Sequence, residues 1–323
     1  MQLIPVDPAD ADAVRRLVAV TNAARSVDSP WLHELTEHEC VGELRWGWDG
    51  DPDEAFLVTV DGTDVAAARY ETSSYDNEHL AWFEIEVDPA QRRRGHGSAV
   101  LDRLVERAVD EGRTTLGLAG WDAAAAAGFA AAHGFEPKLV EVHRRQYVEG
   151  PPDLAVPAPP AYELVRWPTP TPAEDLPALA ELTAAINDAP TDDLDIEDEV
   201  FPPERIAAYE RSWAERGHRM YRVVARHRAT GALAGQSVVC VDGERPHLAE
   251  QHDTSVAHAH RGHRLGVLLK LEVLRWLAEA EPQVREIDTW NAESNDHMVG
   301  VNEELGYRVM GRVIDYQRSA APR

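Results

Sequence analysis

Apolar positions fall three or four apart at Leu101, Leu104, Val105 and Ala108, and again at Val267, Leu271, Leu274 and Ala278. Each stretch predicts an amphipathic helix with one face turned to a sheet. Ahead of each lies a stretch, "HLAWFEIEV" and "HLAEQHDTSV", that reads as a strand, and a basic, glycine-bearing turn joins strand to helix. Further upstream, "AFLVTVDGTDVAAARYE" and "YRVVARHRATGALAGQSVVC" are each two alternating apolar runs about a glycine-containing turn, which predicts a hairpin. A short strand and a helix open each half, in "MQLIPVDPADADAVRRLVAVTNAA" and "AYELVRWPTPTPAEDLPALAELTAAIND". The halves close on "AAAHGFEPKLVEV" and "NEELGYRVMGRV".

These features recur at a nearly constant offset. Val87 and Val256, at the predicted strand ends, stand 169 positions apart, as do Arg92 and Arg261, and Gly134 and Gly306 stand 172 apart. The chain therefore reads as a tandem of two mixed α/β (α+β) domains. Residues 149–160, "EGPPDLAVPAPP", carry five prolines and read as a stiff linker between domains 1–148 and 161–323.

Composition adds exclusions. A formal net charge of -25 over 323 residues argues against nucleic acid as a partner, since phosphate binding needs a basic face. It suits a cationic amine, and equally a solubilising surface. No window approaches the ~18 consecutive apolar residues of a membrane span, and the N-terminus is acidic, so a cytoplasmic protein with no membrane partner is expected. Cys40 and Cys240 lack CxxC spacing and a nearby ligand-type His cluster, so neither a disulfide nor a metal is expected.

A basic turn in so acidic a chain has something anionic to hold. The first amide protons of a helix have no intrahelical partner and the dipole there is positive. Glycine lets the backbone approach the anion and arginine adds charge, so a pyrophosphate fits. The first turn is Arg92, Arg93, Arg94, Gly95, His96 and Gly97, followed by Ser98; the second is Arg261, Gly262, His263, Arg264, Leu265 and Gly266. Neither GxGxxG with its distal acid nor GxxxxGK[ST] is present.

A strand ending in Val, [QR]-x-x-G-x-G, an apolar helix, a further strand and a helix ending in Gly-Phe or Gly-Tyr form one constellation. In "VDPAQRRRGHGSAVL" and "AAAHGF", and in "VAHAHRGHRLG" and "TWNAESNDHMVGVNEELGYRV", the sequence resembles the GNAT superfamily of acyl-CoA N-acyltransferases. The resemblance implies two tandem GNAT-like domains, each a mostly antiparallel sheet flanked by helices, with a splayed central strand that bonds a pantetheine arm. It implies acetyl-CoA as co-substrate, held by Val87 and residues Arg92 to Ser98 in one half and by Val256, residues Arg261 to Gly266 and Asn295 in the other. An acceptor amine then attacks the thioester directly in a ternary complex. The tandem arrangement is similar to that of the acetyltransferase of mycothiol synthesis.

Each half departs from the family pattern. In the first, Ala123 and Ala130 stand where an asparagine and a tyrosine are expected, so this copy reads as degenerate. In the second, Arg264 replaces a loop glycine, and Asn302 stands in place of the tyrosine acid, able to hydrogen-bond a thiolate but not to protonate it. Glu250, His252 and Asp253 are the candidate bases. Strand alternation puts Glu250 and His252 on one face and Asp253 on the other. In the first half, Glu84 and Glu86 share a face and offer the same chemistry. Seven acids within residues 188–199 read either as a mouth for a cationic acceptor or as a solvated loop. The expected function is N-acetyl transfer to a primary amine of a small molecule, in the C-terminal half, by a monomer or homodimer. The alternatives are the same chemistry in the N-terminal half, or an acyl-CoA-binding sensor without turnover.

Overall fold

A computed structural model describes residues 1–320. In chain order the elements are β1 (Gln2–Pro5), α1 (Ala11–Asp28), α2 (Glu37–Trp46), β2 (Glu54–Val60), β3 (Thr63–Glu71), β4 (Leu80–Val87), α3 (His96–Asp110), β5 (Thr115–Trp121), α4 (Ala124–Ala132) and β6 (Glu136–Tyr147). The second half repeats them as β7 (Tyr162–Trp167), α5 (Leu176–Thr183), α6 (Pro203–Glu215), β8 (Arg219–His227), β9 (Leu233–Val241), β10 (Leu248–Val256), α7 (Leu265–Ala280), β11 (Glu286–Ala292), α8 (Asp296–Glu304) and β12 (Arg308–Ser319). Among the described residues no helix is long and apolar enough to cross a membrane.

The chain forms two compact units that do not coincide with the sequence halves. Unit 1 is 1–141, 191–198 and 311–323; unit 2 is 142–190 and 199–310. Three segments cross over. The end of β6 belongs to unit 2, where it lies beside β11. Most of β12 belongs to unit 1, where Val313–Ser319 pair antiparallel with Thr115–Trp121 of β5. The third is the centre of the acidic run. Thr115 Oγ1 donates to Asp195 Oδ2 at 2.6 Å, Asp195 N donates to Gln317 Oε1 at 2.7 Å, and Glu197 N to Asn77 Oδ1 at 2.7 Å. These bonds strap 191–198 to unit 1 at the start of β5. The segment remains exposed, as expected of a solvated loop, but these bonds tether it.

In unit 1 the antiparallel run β1-β2-β3-β4 meets β5 in parallel, with register from Leu80↔Thr115 to Phe83↔Leu118. Beyond Phe83 the two strands part. Unit 2 repeats this: β7-β8-β9-β10 are antiparallel, and β10 pairs parallel with β11 only from Leu248↔Glu286 to Glu250↔Asp288. The expected splayed strand is present in both units. Mouths of this kind, at the carboxyl ends of parallel strands, are where a sheet leaves room for a ligand.

The cores differ in how they cover the helix after the turn. In unit 1, Val100, Leu101, Leu104 and Ala108 of α3 are buried while its other face is exposed. Helix α7 is buried nearly all round, from Leu265 to Leu271 without a break. The proline-rich segment contributes to this, because Leu154 and Val156 pack against the cluster that α7 dominates. Cys40 and Cys240 are both free and fully buried.

Candidate functional site

Both turns hold the same backbone shape. Arg93 and Gly262, equivalent by the repeat, have φ of 63 and 82; Gly95 and Arg264 have φ of 83 and 57. The left-handed conformation at the residue before each helix aims the first amides outward. It suits Gly95 and is strained at Arg264, whose guanidinium pairs with Glu304 of α8. A Cβ built on Gly95, Gly262 or Gly266 would meet no heavy atom within 4 Å, whereas at Gly97 it would come within 3.3 Å of the Phe129 ring. The amides of His96, Gly97 and Ser98, and of Leu265, Gly266 and Val267, therefore fit a bulky anion such as the coenzyme A pyrophosphate.

The arginines do something the sequence does not suggest. Arg92 Nε donates to the carbonyl of Val87 at 3.0 Å while its other nitrogens grip Asp28 at 2.9 and 2.5 Å. Arg261 repeats both bonds, to the Val256 carbonyl at 3.1 Å and to Asp188 at 2.6 Å. Each staples its turn to the preceding strand, so neither is a loose cation held ready for phosphate. Arg93, Arg94 and His263 remain at the surface of the turns, and His96 is half-buried. Ser98 Oγ lies 2.9 Å from His133 Nε2.

Strand β10 carries a feature that β4 lacks. Its register with β9 shifts between Gln251↔Val239 and Thr254↔Ser237, so one extra residue bulges out at His252 and Asp253. The pairing of β4 with β3 runs unbroken from Ala66↔Val87 to Glu71↔Trp82. Bulges re-aim side chains and cluster beside active sites. Here the bulge lies next to Glu250, the last residue paired before β10 and β11 part.

Around that bulge the structure gathers several acid–base groups. His252 Nδ1 lies 2.5 Å from the Tyr209 hydroxyl and 3.6 Å from the Cys240 sulfur; its Nε2 lies 3.8 Å from Glu250 Oε2. The Trp213 ring closes over it, with centroids 4.2 Å apart. The imidazole is 1% exposed, while the Glu250 side chain is 39% exposed. Burial pushes the Glu250 carboxyl up, but His252, with Arg216 and His218, holds it below the usual range. Burial works against charge on His252, yet the Cys240 sulfur and Glu250 raise its pKa. Tyr209 is pushed well up by burial and by neighbouring Cys240 and Asp253.

The structure corrects two expectations. Strand alternation puts Asp253 on the opposite face, but the bulge breaks the alternation and places it within reach of the charges on His252 and Arg222; burial raises its carboxyl while those two cations pull it down. Asn302 does not present its amide to the splayed mouth. It is 1% exposed, accepts from Lys270 Nζ at 2.7 Å and donates to Asn291 Oδ1 at 3.1 Å, and Arg144 reaches the same Asn291 oxygen at 2.9 Å. Asn295 caps α8, its side chain accepting from Met298 N at 3.1 Å. Tyr307 is a core aromatic, 4.9 Å from Lys270 Nζ.

Sequence reasoning misses Tyr209 and Cys240 as site residues. Cys240 is legible in principle, since hairpin pairing sets it directly across from Glu250. Tyr209 and Trp213 come from α6, which a buried pair between Glu210 and Arg222 fixes to β8; Thr171 N and Oγ1 donate to the same carboxylate at 2.6 and 2.7 Å. In unit 1, Glu84 sits 3.9 Å from Arg69, and Glu86 3.8 Å from Arg25. Burial pushes Asp53 and Asp315 of that unit up to about 7, and raises Glu86 as well. Among the described residues no group of three or more His, Cys, Asp or Glu is placed to hold a metal ion.

Comparison with known proteins agrees with this architecture. The Acetyltransferase (GNAT) family model matches residues 20–135. A mycothiol acetyltransferase of Geodermatophilus obscurus is 31% identical over 145 residues, which is 45% of this chain and 45% of that protein. The chain thus matches about half the length of this curated relative. Among solved structures, a tandem GNAT protein from the clavulanic acid biosynthesis pathway superposes with a TM-score of 0.80 at 28% identity, over 100% of this chain and 99% of its own. A GCN5-related N-acetyltransferase from Sphaerobacter thermophilus shares the fold at 18% identity, with a TM-score of 0.76 over 99% and 96% of the two chains.

Proposed function

We propose that the chain is a tandem protein of the GNAT family, a reading supported by the family match over residues 20–135 and by the likeness to a tandem GNAT structure, and that it transfers an acetyl group from acetyl-CoA to a primary amine of a small molecule, with the chemistry in unit 2. The bulge in β10 carries this reading: it sets Glu250, His252 and Asp253 together where β10 and β11 part. Acetyl-CoA supplies the thioester. Residues Leu265 to Val267 would hold its pyrophosphate, and the free edge of β10 beyond Glu250 its pantetheine arm.

The residues divide the work by exposure. An amine attacks only after losing its ammonium proton, and Glu250, ionised and partly exposed, accepts that proton directly or through one water. His252 behind it balances the carboxylate charge and, against burial, helps hold the Glu250 pKa below the usual range. Tyr209 and Cys240 orient the imidazole. Asn302, turned into the core, takes no part in protonating the thiolate.

The test is thiol release from acetyl-CoA across an amine panel. Glu250→Gln is expected to lower kcat/KM by about 10²- to 10³-fold while acetyl-CoA binding, measured by calorimetry, is unchanged. Full activity in Glu250→Gln together with loss in Glu84→Gln or Glu86→Gln would move the chemistry to unit 1, whose Gly95 and Gly97 turn is the complete one. Saturable binding without thiol release for any amine would leave a sensor.

A further inference from the structure

Helix α6 and the residue that closes it bring more than Tyr209 to the bulge of β10. Positions four and then three apart line up on one helix face, and Tyr209, Trp213 and Arg216 stand at that spacing. The Tyr209 hydroxyl meets His252 Nδ1 at 2.5 Å, and the Trp213 ring meets the same imidazole with centroids 4.2 Å apart. The Arg216 guanidinium lies over that indole, its Cζ 4.3 Å from the ring centroid, and His218 meets the ring edge-on at 4.9 Å. Trp213 and Arg216 are both buried. Glu250, His252, Trp213 and Arg216 are thus successive contacts, with the partly exposed carboxylate at the outer end, 3.8 Å from the imidazole. In unit 1 the place of Glu250 holds Trp82: each is the third residue of its strand to pair with the parallel neighbour, Trp82 opposite Gly117 and Glu250 opposite Asp288. A Cβ on Gly117 would stand 2.0 Å from the Trp82 ring, so an indole fills there what a carboxylate fills in unit 2.

The charges around Glu250 differ in how far they depend on one another. Across the sheet it stands opposite Cys240 of β9 and Asp288 of β11, and Asp288 is itself held by Arg145 at 2.6 and 2.7 Å and by His143 at 3.1 Å. Along β10 it meets His252 and, beyond it, Asp253, which is also under the field of Arg222. Helix α6 and its end add Tyr209, Arg216 and His218. The hold between Glu250 and His252 is mutual, since the imidazole pulls the carboxyl below its usual range and the carboxylate helps raise the imidazole. Such a pair titrates as a unit, and each charge weakens when the other is lost. Burial, with Arg216 nearby, takes His218 down to about 4, so it carries no charge near neutral pH. The guanidinium of Arg216 stays charged throughout. In direct contact it would grip both carboxylate oxygens as a bidentate pair and leave the base little capacity for a proton. Seated on an indole, whose face attracts a cation, it acts on Glu250 through the field.

We infer that Arg216 is a positioning residue for the proton acceptor: it clamps Trp213, and with it the imidazole of His252, behind Glu250, and supplies there a positive charge that no change of pH removes. The inference rests on the assignment of Glu250 as the base. Without the guanidinium the carboxyl takes up a proton at higher pH, and the indole loses the cation seated on it.

The experiment follows the Glu250 carboxyl itself, by carbon NMR of the full chain labelled in its glutamate side chains, with Glu250→Gln to assign the signal. The pH profile of thiol release from acetyl-CoA is the second readout. In Arg216→Met the Glu250 titration and the acid limb of kcat/KM are expected to move up together by about one pH unit, with the Kd for acetyl-CoA unchanged. Arg216→Lys keeps a cation over the ring and should restore most of that shift. If Arg216→Met melts far below the parent, Trp213→Phe carries the test, because its weaker face for a cation should move the titration in the same direction by less. A Glu250 titration unmoved in the folded variant, or moved as far in Arg216→Lys as in Arg216→Met, would overturn the proposal. The NMR arm needs no turnover, so full activity in Glu250→Gln would remove the base and leave the clamp judged on its own titration.

Discussion

The two turns of this protein keep one backbone and diverge in almost every side chain around it. Both place a left-handed residue just before the helix, at Gly95 and Arg264, and both staple an arginine to the strand end and to an aspartate, Arg92 to Asp28 and Arg261 to Asp188. The surroundings differ in kind. Where unit 1 buries Leu101 and Ala130, unit 2 buries Lys270 against Asn302; where α4 starts at Ala123 without a side-chain cap, α8 starts at Asn295 with one; where β4 is regular, β10 bulges. The duplicated fold preserves the cradle, which only backbone can form, and lets the polar chemistry drift between copies.

The sharpest way to break that contrast is to exchange the buried pair. Asn302→Ala leaves the Lys270 ammonium without its acceptor and should cost about 1–3 kcal/mol in denaturant unfolding, whereas Lys270→Leu with Asn302→Ala imports the pair of unit 1 and should be close to neutral or stabilising. Burial, with Arg144 nearby, brings Lys270 down to about 7. Between about pH 7 and the free lysine pKa of about 10.4 the unfolded chain then binds a proton that the folded one does not. Stability should therefore rise with pH through that window by up to about 4 kcal/mol, and the Lys270→Leu, Asn302→Ala variant should lose that rise.

A smaller effect separates the turns themselves. Gly95→Ala is expected to cost about 1–2 kcal/mol because a side chain enters the left-handed region, while Arg264→Gly relieves the same strain and forfeits only the exposed pair with Glu304, for a net change within about 1 kcal/mol. Smallest is the cap. Asn295→Ala should destabilise by about 1 kcal/mol and Ala123→Asn should gain somewhat less, both read as shifts in unfolding midpoint. Equal responses of the two helices would mean that α8 does not depend on its capping bond.

Much of this is legible in the chain. The 3.6-residue apolar period marks α3 and α7, alternation marks the hairpins, and the offset of 169 links Arg92 to Arg261 by counting positions alone. The same offset pairs Lys270 with Leu101, so the buried lysine is detectable as the polar member of an apolar position. Alternation misplaces Asp253 because it assumes an unbroken ladder, and a one-residue bulge has no period of its own. Tyr209 is invisible as a site residue, because nothing local links a helix residue to a strand residue some 40 positions later.

What the sequence determined by itself was local and periodic: the type and order of the elements, the duplication, and the two turns that propensity and glycine placement specify. The tertiary structure decided what depends on long-range pairing. It determined that β12 completes unit 1 and the end of β6 lies in unit 2, that Asp195 and Glu197 are strapped to unit 1, and that His252 is enclosed by groups from three elements. The physical reason is the same in each case. A strand edge, a buried imidazole and an unsatisfied carboxylate are met by whatever partner the whole fold brings within hydrogen-bond reach, and no short window of sequence contains that partner.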